Sequence, residues 1–165
     1  MEAGDLLLTR RVRQNHALEH ATVTILTNDL PGLSVSARSN LRGFTIFADL
    51  DPVLVRRAAD EAMERLRAGE AELAIHPNCG TNLAVGMSIA LVGSLWSLTA
   101  MRQRTRLATA LGSTIASFIV ARPLGSLAQK YLTTQPDLRD VRIVDVRSRR
   151  LLGRRVVETV TATIG

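Results

Sequence analysis

At 165 residues the chain is long enough for one domain with a buried core and short for two. Aromatic residues make up only 3%, which leaves no platform for stacking single-stranded bases, so no specific nucleic-acid partner is expected. The net charge of +6 is uneven: residues 1–80 carry 9 Lys/Arg against 11 Asp/Glu, and residues 81–165 carry 12 against 4, with seven arginines between Arg139 and Arg155. Such a basic segment suits an anionic lipid surface, a nucleic acid or a solvated strand face, and the apolar segments upstream favour lipid. A lone cysteine, Cys79, excludes an intramolecular disulfide and fits a reducing compartment or a metal thiolate.

In chain order, residues 5–30 interleave apolar and polar positions and stop at Pro31-Gly32, which predicts a helix. The stretches "LSVSARS" and "GFTIFAD" alternate as strands do, around a turn at Asn40 to Gly43. Asp51-Pro52 offers an N-cap and a first-turn proline for a second helix. Its apolar stripe is Val55, Ala59, Ala62 and Leu66, and Gly69 ends it. "ELAIHP" reads as a further short strand.

Thr81 to Met101 carries no charge over 21 residues, about the length that spans a bilayer core as a helix. A second apolar run, Leu107 to Ala121, stops at Arg122-Pro123 and extends to Ala128 if Arg122 snorkels or faces protein. Small residues recur every four positions, Gly86, Ala90 and Ser94 in the first run, Ala108, Gly112 and Ala116 in the second. That spacing lets helices approach closely in lipid. The pair reads as a transmembrane helical hairpin over residues 81–130, the alternative being a buried helix pair in a soluble protein. The same stripes suit helices of two chains, which leaves a homodimer open.

Arg102, Arg104 and Arg106 argue for a cytoplasmic connection by the positive-inside rule. Against that, the N-terminal tail has only "LLL" before Arg10 and Arg11, which is no signal-peptide core, and so argues for cytosolic tails. The expected placement is the inner (cytoplasmic) membrane, two-pass, with both tails cytosolic and membrane lipids as partners. Beyond the hairpin, "DVRIVDV" and "RVVETVTATI" predict a closing antiparallel pair around a turn at Arg149 to Gly153. The expected class is α+β: a small antiparallel sheet with its helices, residues 1–80 plus 135–165, carrying the membrane hairpin as an insertion.

Two short windows hold every histidine and the cysteine: "NHALEH", with His16, Glu19 and His20, and "HPNCGTN", with His76, Asn78, Cys79 and Asn82. Residues three and four apart share a helix face, so His16, Glu19 and His20 point one way. Two imidazoles at that spacing can grip Zn²⁺ or another divalent metal, and the carboxylate can move a proton beside it. Core packing and solvation give no reason to gather the soft nitrogen and sulfur ligands into two windows. Cys79, or failing it His76, is the candidate third ligand, which leaves a coordination position open. The structural alternative makes Cys79 a small buried residue at the membrane edge and His76 an exposed strand end.

"HALEH" resembles the H-x-x-E-H helix of pitrilysin-type metallopeptidases and of S-ribosylhomocysteine lyase, which share a metallohydrolase fold. In the lyase that helix is followed by two strands ending in a "GFY"-like segment, a helix, and a "CGT" motif. This chain has "RGFTIF" at 42–47, a helix from Pro52, and Cys79-Gly80-Thr81 in the same order. The likeness covers about residues 14–82. It implies His16, His20 and Cys79 as metal ligands and Glu19 as general acid/base. The lyase's additional catalytic cysteine has no counterpart in "SNLRGF", and pitrilysin-type peptidases take a downstream glutamate as third ligand. The combination of "NHALEHAT", "RGF" and "HPNCGTN" before the expected membrane hairpin also resembles a family of small uncharacterised bacterial membrane proteins.

The expected function is that of a membrane-anchored zinc hydrolase, a peptidase or amidase, acting on a membrane-associated peptide or protein, with His76, Asn78 and Asn82 orienting substrate. The alternative is a non-catalytic membrane protein in which zinc staples the first helix to the strand leading into the membrane, with His76 as fourth ligand. A basic adaptor built on Arg139 to Arg155 is the third reading.

Overall fold

The computed structural model describes residues 10–100, 105–151 and 153–164. It is α+β, with four α-helices and a small antiparallel four-stranded sheet among the described residues. The chain divides into two compact units, Met1–His76 with Lys130–Gly165, and Pro77–Gln129.

In the first unit, α1 (Arg10–Asp29) leads into β1 (Ser36–Asn40) and β2 (Gly43–Phe47), followed by α2 (Pro52–Arg67) and a single 3₁₀ turn, Ala71–Ala74. The predicted helix over 5–30 is realised as α1, with residues 5–9 outside the described residues. The β1–β2 turn falls where the sequence puts it, with Asn40 opposite Gly43. The α2 helix starts at Asp51, whose Oδ1 accepts from the Val53 N–H at 2.9 Å, and stops before Gly69 at φ +100°.

"ELAIHP" forms no strand; its first half is the 3₁₀ turn. The four strands pair only among themselves, so no ladder satisfies residues 70–77, and the short turn supplies the local hydrogen bonds instead.

The sheet order is β1-β2-β4-β3, with β3 (Val141–Leu151) and β4 (Arg154–Thr163) as the long closing pair. The strands run further than predicted: Arg149, Arg150 and Leu151 still pair, with Val156, Arg155 and Arg154. A bulge between Ile143 and Asp145 leaves Val144 exposed. One sheet face packs on the helices: Phe44, Ile46, Val141 and Val157 meet Leu18, Ile25 and Leu26 of α1 and Val55 and Leu66 of α2. Each such fully buried apolar side chain contributes roughly 1.5–3 kcal/mol.

The second unit is an antiparallel helix pair, α3 (Gly80–Ala100) and α4 (Arg106–Ala128). A Cβ at Gly86 would touch that of Ala121, one at Gly93 would press on Ser113 at 2.8 Å, and one at Gly125 would strike Asn82. As the position rises along α3 it falls along α4, which fixes the antiparallel sense. The contact stripe of α4 is therefore Ser113, Ser117, Ala121 and Gly125. The predicted stripe of Ala108, Gly112 and Ala116 is not that face, since Gly112 meets nothing within 4 Å. Both sets have four-residue spacing and differ by one position, a rotation of about 100° that spacing alone does not select.

The α4 helix also runs through Pro123, beyond the predicted stop. Continuous with it is a π turn, Gln129–Thr133. Among the described residues one helix, Leu107–Thr133, is long and apolar enough to cross a membrane. Leu111, Ile115, Phe118 and Ile119 lie exposed along it.

Candidate functional site

The α1 helix is buried on nearly all sides, so its polar residues must find partners inside the protein. Asn15 donates from Nδ2 to the Asn40 carbonyl at 2.7 Å, and its Oδ1 accepts from the Thr161 hydroxyl at 2.7 Å. One side chain thereby ties α1 to both the β1–β2 turn and β4. Gln14 donates to the Asp137 carbonyl and to Asp140, and Arg13 donates to the carbonyls of Tyr131 and Thr134. These anchors set the rotation of α1 about its axis and hence the direction of the histidine face.

On that face the His16 and His20 rings stand 4.2 Å apart, centroid to centroid, at 63°. Nδ1 of His16 lies 3.0 Å from the Thr133 carbonyl oxygen, and Nδ1 of His20 lies 2.7 Å from that of Ala74. A carbonyl only accepts, so Nδ1 is the protonated, donating nitrogen of each ring. The 3₁₀ turn that replaced the predicted strand is what presents the Ala74 carbonyl, and the π turn presents Thr133. His76 joins this group, its ring 5.9 Å from that of His20 and its pKa lowered by burial.

Glu19, on the same helix, is buried, only 6% exposed. Burial pushes its carboxyl up to about 7, against the opposing pull of His16 and of hydrogen bonding to Ser39. Its Oε2 is buried with no hydrogen-bond partner. A carboxyl held near neutrality with an open acceptor is equipped to take up and return a proton.

The other predicted residues belong to the second unit. Asn78 is exposed and Cys79 half-buried at the entrance to α3. The Cys79 sulfur accepts from the Thr81 backbone N–H and donates to the Thr81 hydroxyl, both at 3.4 Å. Asn82 is buried: Nδ2 donates to the Pro77 carbonyl at 2.6 Å, and Oδ1 accepts from Gln129 at 2.8 Å. Its amide thus connects the two helices of the pair.

Four residues important to this arrangement escaped the sequence reading: Arg13, Gln14, Asn15 and Ser39. Arg13, Gln14 and Asn15 stand immediately before His16, and polar side chains crowded onto a helix that must be buried were the available signal. Ser39 carried none, because a serine in an alternating strand reads as a solvent-facing position.

A family model described as a domain of unknown function, DUF6391, matches residues 11–146, which takes in both histidine windows and the α3–α4 pair. An uncharacterized protein of Picosynechococcus sp. (strain ATCC 27264 / PCC 7002 / PR-6) is 34% identical over 139 residues, covering 74% of this chain. The match spans 65% of that relative's own length. No solved structure matches the chain. With most of its length covered by the family model, the chain belongs to the DUF6391 family.

Proposed function

We propose that this protein is a membrane-anchored, metal-dependent hydrolase of the peptidase or amidase type, with His16, His20 and Cys79 as metal ligands and Glu19 as general acid/base. The observation that carries the reading is the Glu19 carboxyl, buried with Oε2 unpartnered beside two imidazoles whose Nδ1 atoms are both turned onto backbone carbonyls. Ligating histidines characteristically donate their other ring N–H to such a carbonyl, which fixes the tautomer and the ring plane.

The donor set fits zinc: two nitrogens and a thiolate, with a position left open. Three peptide units hold the Cα of Cys79 within ~11 Å of that of His76, and the His76 ring stands 5.9 Å from that of His20. The Thr81 N–H directed at the sulfur, at a helix N-terminus, suits a thiolate. The resemblance of "HALEH", "RGF" and "CGT" to the lyase motifs points to the same three ligands.

A bound zinc, or another divalent metal, supplies Lewis acidity toward a carbonyl and its attacking water. Glu19 accepts the proton and returns it to the leaving group. The two carbonyl-bound imidazoles keep their orientation throughout, and His76 and Asn78 are the residues proposed to orient the substrate. The apolar Leu107–Thr133 helix supports anchorage; a two-pass topology in the inner membrane with cytosolic tails completes the reading, and the substrate is then a membrane-associated peptide or protein.

A second reading rests on the 5.9 Å approach of His76 to His20: a fourth ligand would close the site and make zinc a structural staple. Glu19→Gln separates the two. Hydrolysis requires that the variant keep its metal and lose turnover of peptide and amide substrates by about 10²- to 10⁴-fold. A staple predicts no turnover in wild type, and metal loss in His76→Ala.

A further inference from the structure

Among the described residues the sheet covers its helices with one face and turns exposed side chains outward at the β3–β4 end of the other. Phe47 follows the core residue Ile46 in β2, and Val156 precedes the core residue Val157 in β4, so strand alternation turns both away from the helices. Ser36 pairs with Phe47, Leu151 with Arg154 and Arg149 with Val156, which places all of these on that other face. At the end of that face next to the β3–β4 turn they enclose a groove of about 650 Å³. Its exposed apolar walls are Phe47 and Leu151, standing over the covered Val156, and Arg154, Arg155 and Ser36 complete the lining.

The charges there are unbalanced. Arg154 and Arg150 make no ion pair among the described residues. The one acid in the groove, Asp49, pairs with Arg155 at 3.2 Å, but both side chains are more than half exposed, so the pair is solvated and weak.

We propose that this groove binds an anionic phospholipid, with the phosphate on Arg154 and Arg155 and the glycerol and first acyl carbons against Phe47 and Leu151. A nucleic acid would satisfy the arginines but has no apolar tail for the walls, and a neutral lipid would satisfy the walls alone. The ligand is at hand if the chain is membrane-anchored, and to that extent the inference rests on the function proposed above. Binding would hold the sheet, and with it α1, against a bilayer surface.

The test titrates the purified full-length protein with dihexanoyl-phosphatidylglycerol and follows backbone hydrogen exchange around Phe47 and Arg154 to Val156. Dihexanoyl-phosphatidylcholine, inorganic phosphate and a single-stranded oligonucleotide run in parallel. The expected result is protection of both segments by phosphatidylglycerol, weakened about thirtyfold in Arg154→Gln/Arg155→Gln, as two basic residues near an anionic surface imply. Arg142→Gln, at the far end of β3, leaves it unchanged.

Equal binding by wild type and the double variant overturns the proposal, as does equal protection by phosphatidylcholine. Protection by phosphate at the same concentration assigns the site to a free anion, and tighter binding of the oligonucleotide assigns it to nucleic acid; either overturns it. The probe is a soluble lipid, so failure of membrane anchorage registers separately, as exclusion of the wild-type protein from phosphatidylcholine nanodiscs.

Discussion

The Nδ1 of His20 lies 2.7 Å from the carbonyl oxygen of Ala74, so the helix that carries the H-x-x-E-H motif is hydrogen-bonded through a candidate ligand to the turn leading toward the second window. His20 is buried, and its loss strands that carbonyl as well as opening a cavity. His20→Ala should therefore lower the unfolding free energy of chelator-treated protein by about 2 kcal/mol, read from the urea midpoint. His16 is only half-buried, and His16→Ala should cost about half as much. Equal losses would contradict the asymmetry of the two sites.

Glu19 makes the stability of the chelated protein depend on pH. Its folded pKa stands at about 7, above the ordinary 4.5. Below pH 4.5 the carboxyl is protonated folded and unfolded alike. Between about 4.5 and 7 the unfolded chain releases the proton first, so stability falls as pH rises, and above 7 it stays low. The full effect is on the order of 3 kcal/mol. Glu19→Gln should flatten that slope and stabilise the protein at pH 8 while changing little at pH 4.5. A destabilised variant at pH 8 would show that the carboxylate is held by contacts rather than strained by burial.

Gly43 adopts φ +146°, and a Cβ there would collide with the Thr159 carbonyl of β4. Gly43→Ala combines backbone strain with an opened β2–β4 ladder and should cost at least about 3 kcal/mol. Thermal unfolding measures it directly, and a shift of only a degree or two would place that ladder elsewhere.

How much of this was legible beforehand divides along physical lines. The α1 and α2 helices and the β1–β2 turn were readable because caps, terminators and periodicity are local: Asp51-Pro52, Gly69 and Pro31-Gly32 act on their own neighbours. The 3₁₀ turn at Ala71–Ala74 was not, because "ELAIHP" becomes a strand only if a neighbouring strand accepts it, and the four strands of the sheet pair only with one another. The pairing of His16, Glu19 and His20 on one face followed from helix spacing. Their carbonyl partners did not, since Thr133 lies 117 positions from His16 in the chain and reaches it only through the fold. "RGF" was visible as a motif, but the reason for its glycine, the close approach of Thr159, belongs to the sheet register.

In the helix pair, Gly125 faces Asn82 so closely that any Cβ must displace it. Gly125→Ala should break the Asn82–Gln129 hydrogen bond and destabilise the pair by about 1–3 kcal/mol. Gly112→Ala, which meets nothing within 4 Å, should be neutral or slightly stabilising in the same assay. Equal effects would put the interface on the other stripe.

The central claim is that "NHALEH" and "HPNCGTN" contribute to one metal site. It is tested most directly by elemental analysis of metal per chain in the purified protein, comparing wild type with His20→Ala and Cys79→Ser. The account predicts about one zinc per wild-type chain and clear loss in both variants, one from each window. A wild type that stays metal-free after zinc is supplied during expression, or a Cys79→Ser variant that retains its full complement, would contradict it.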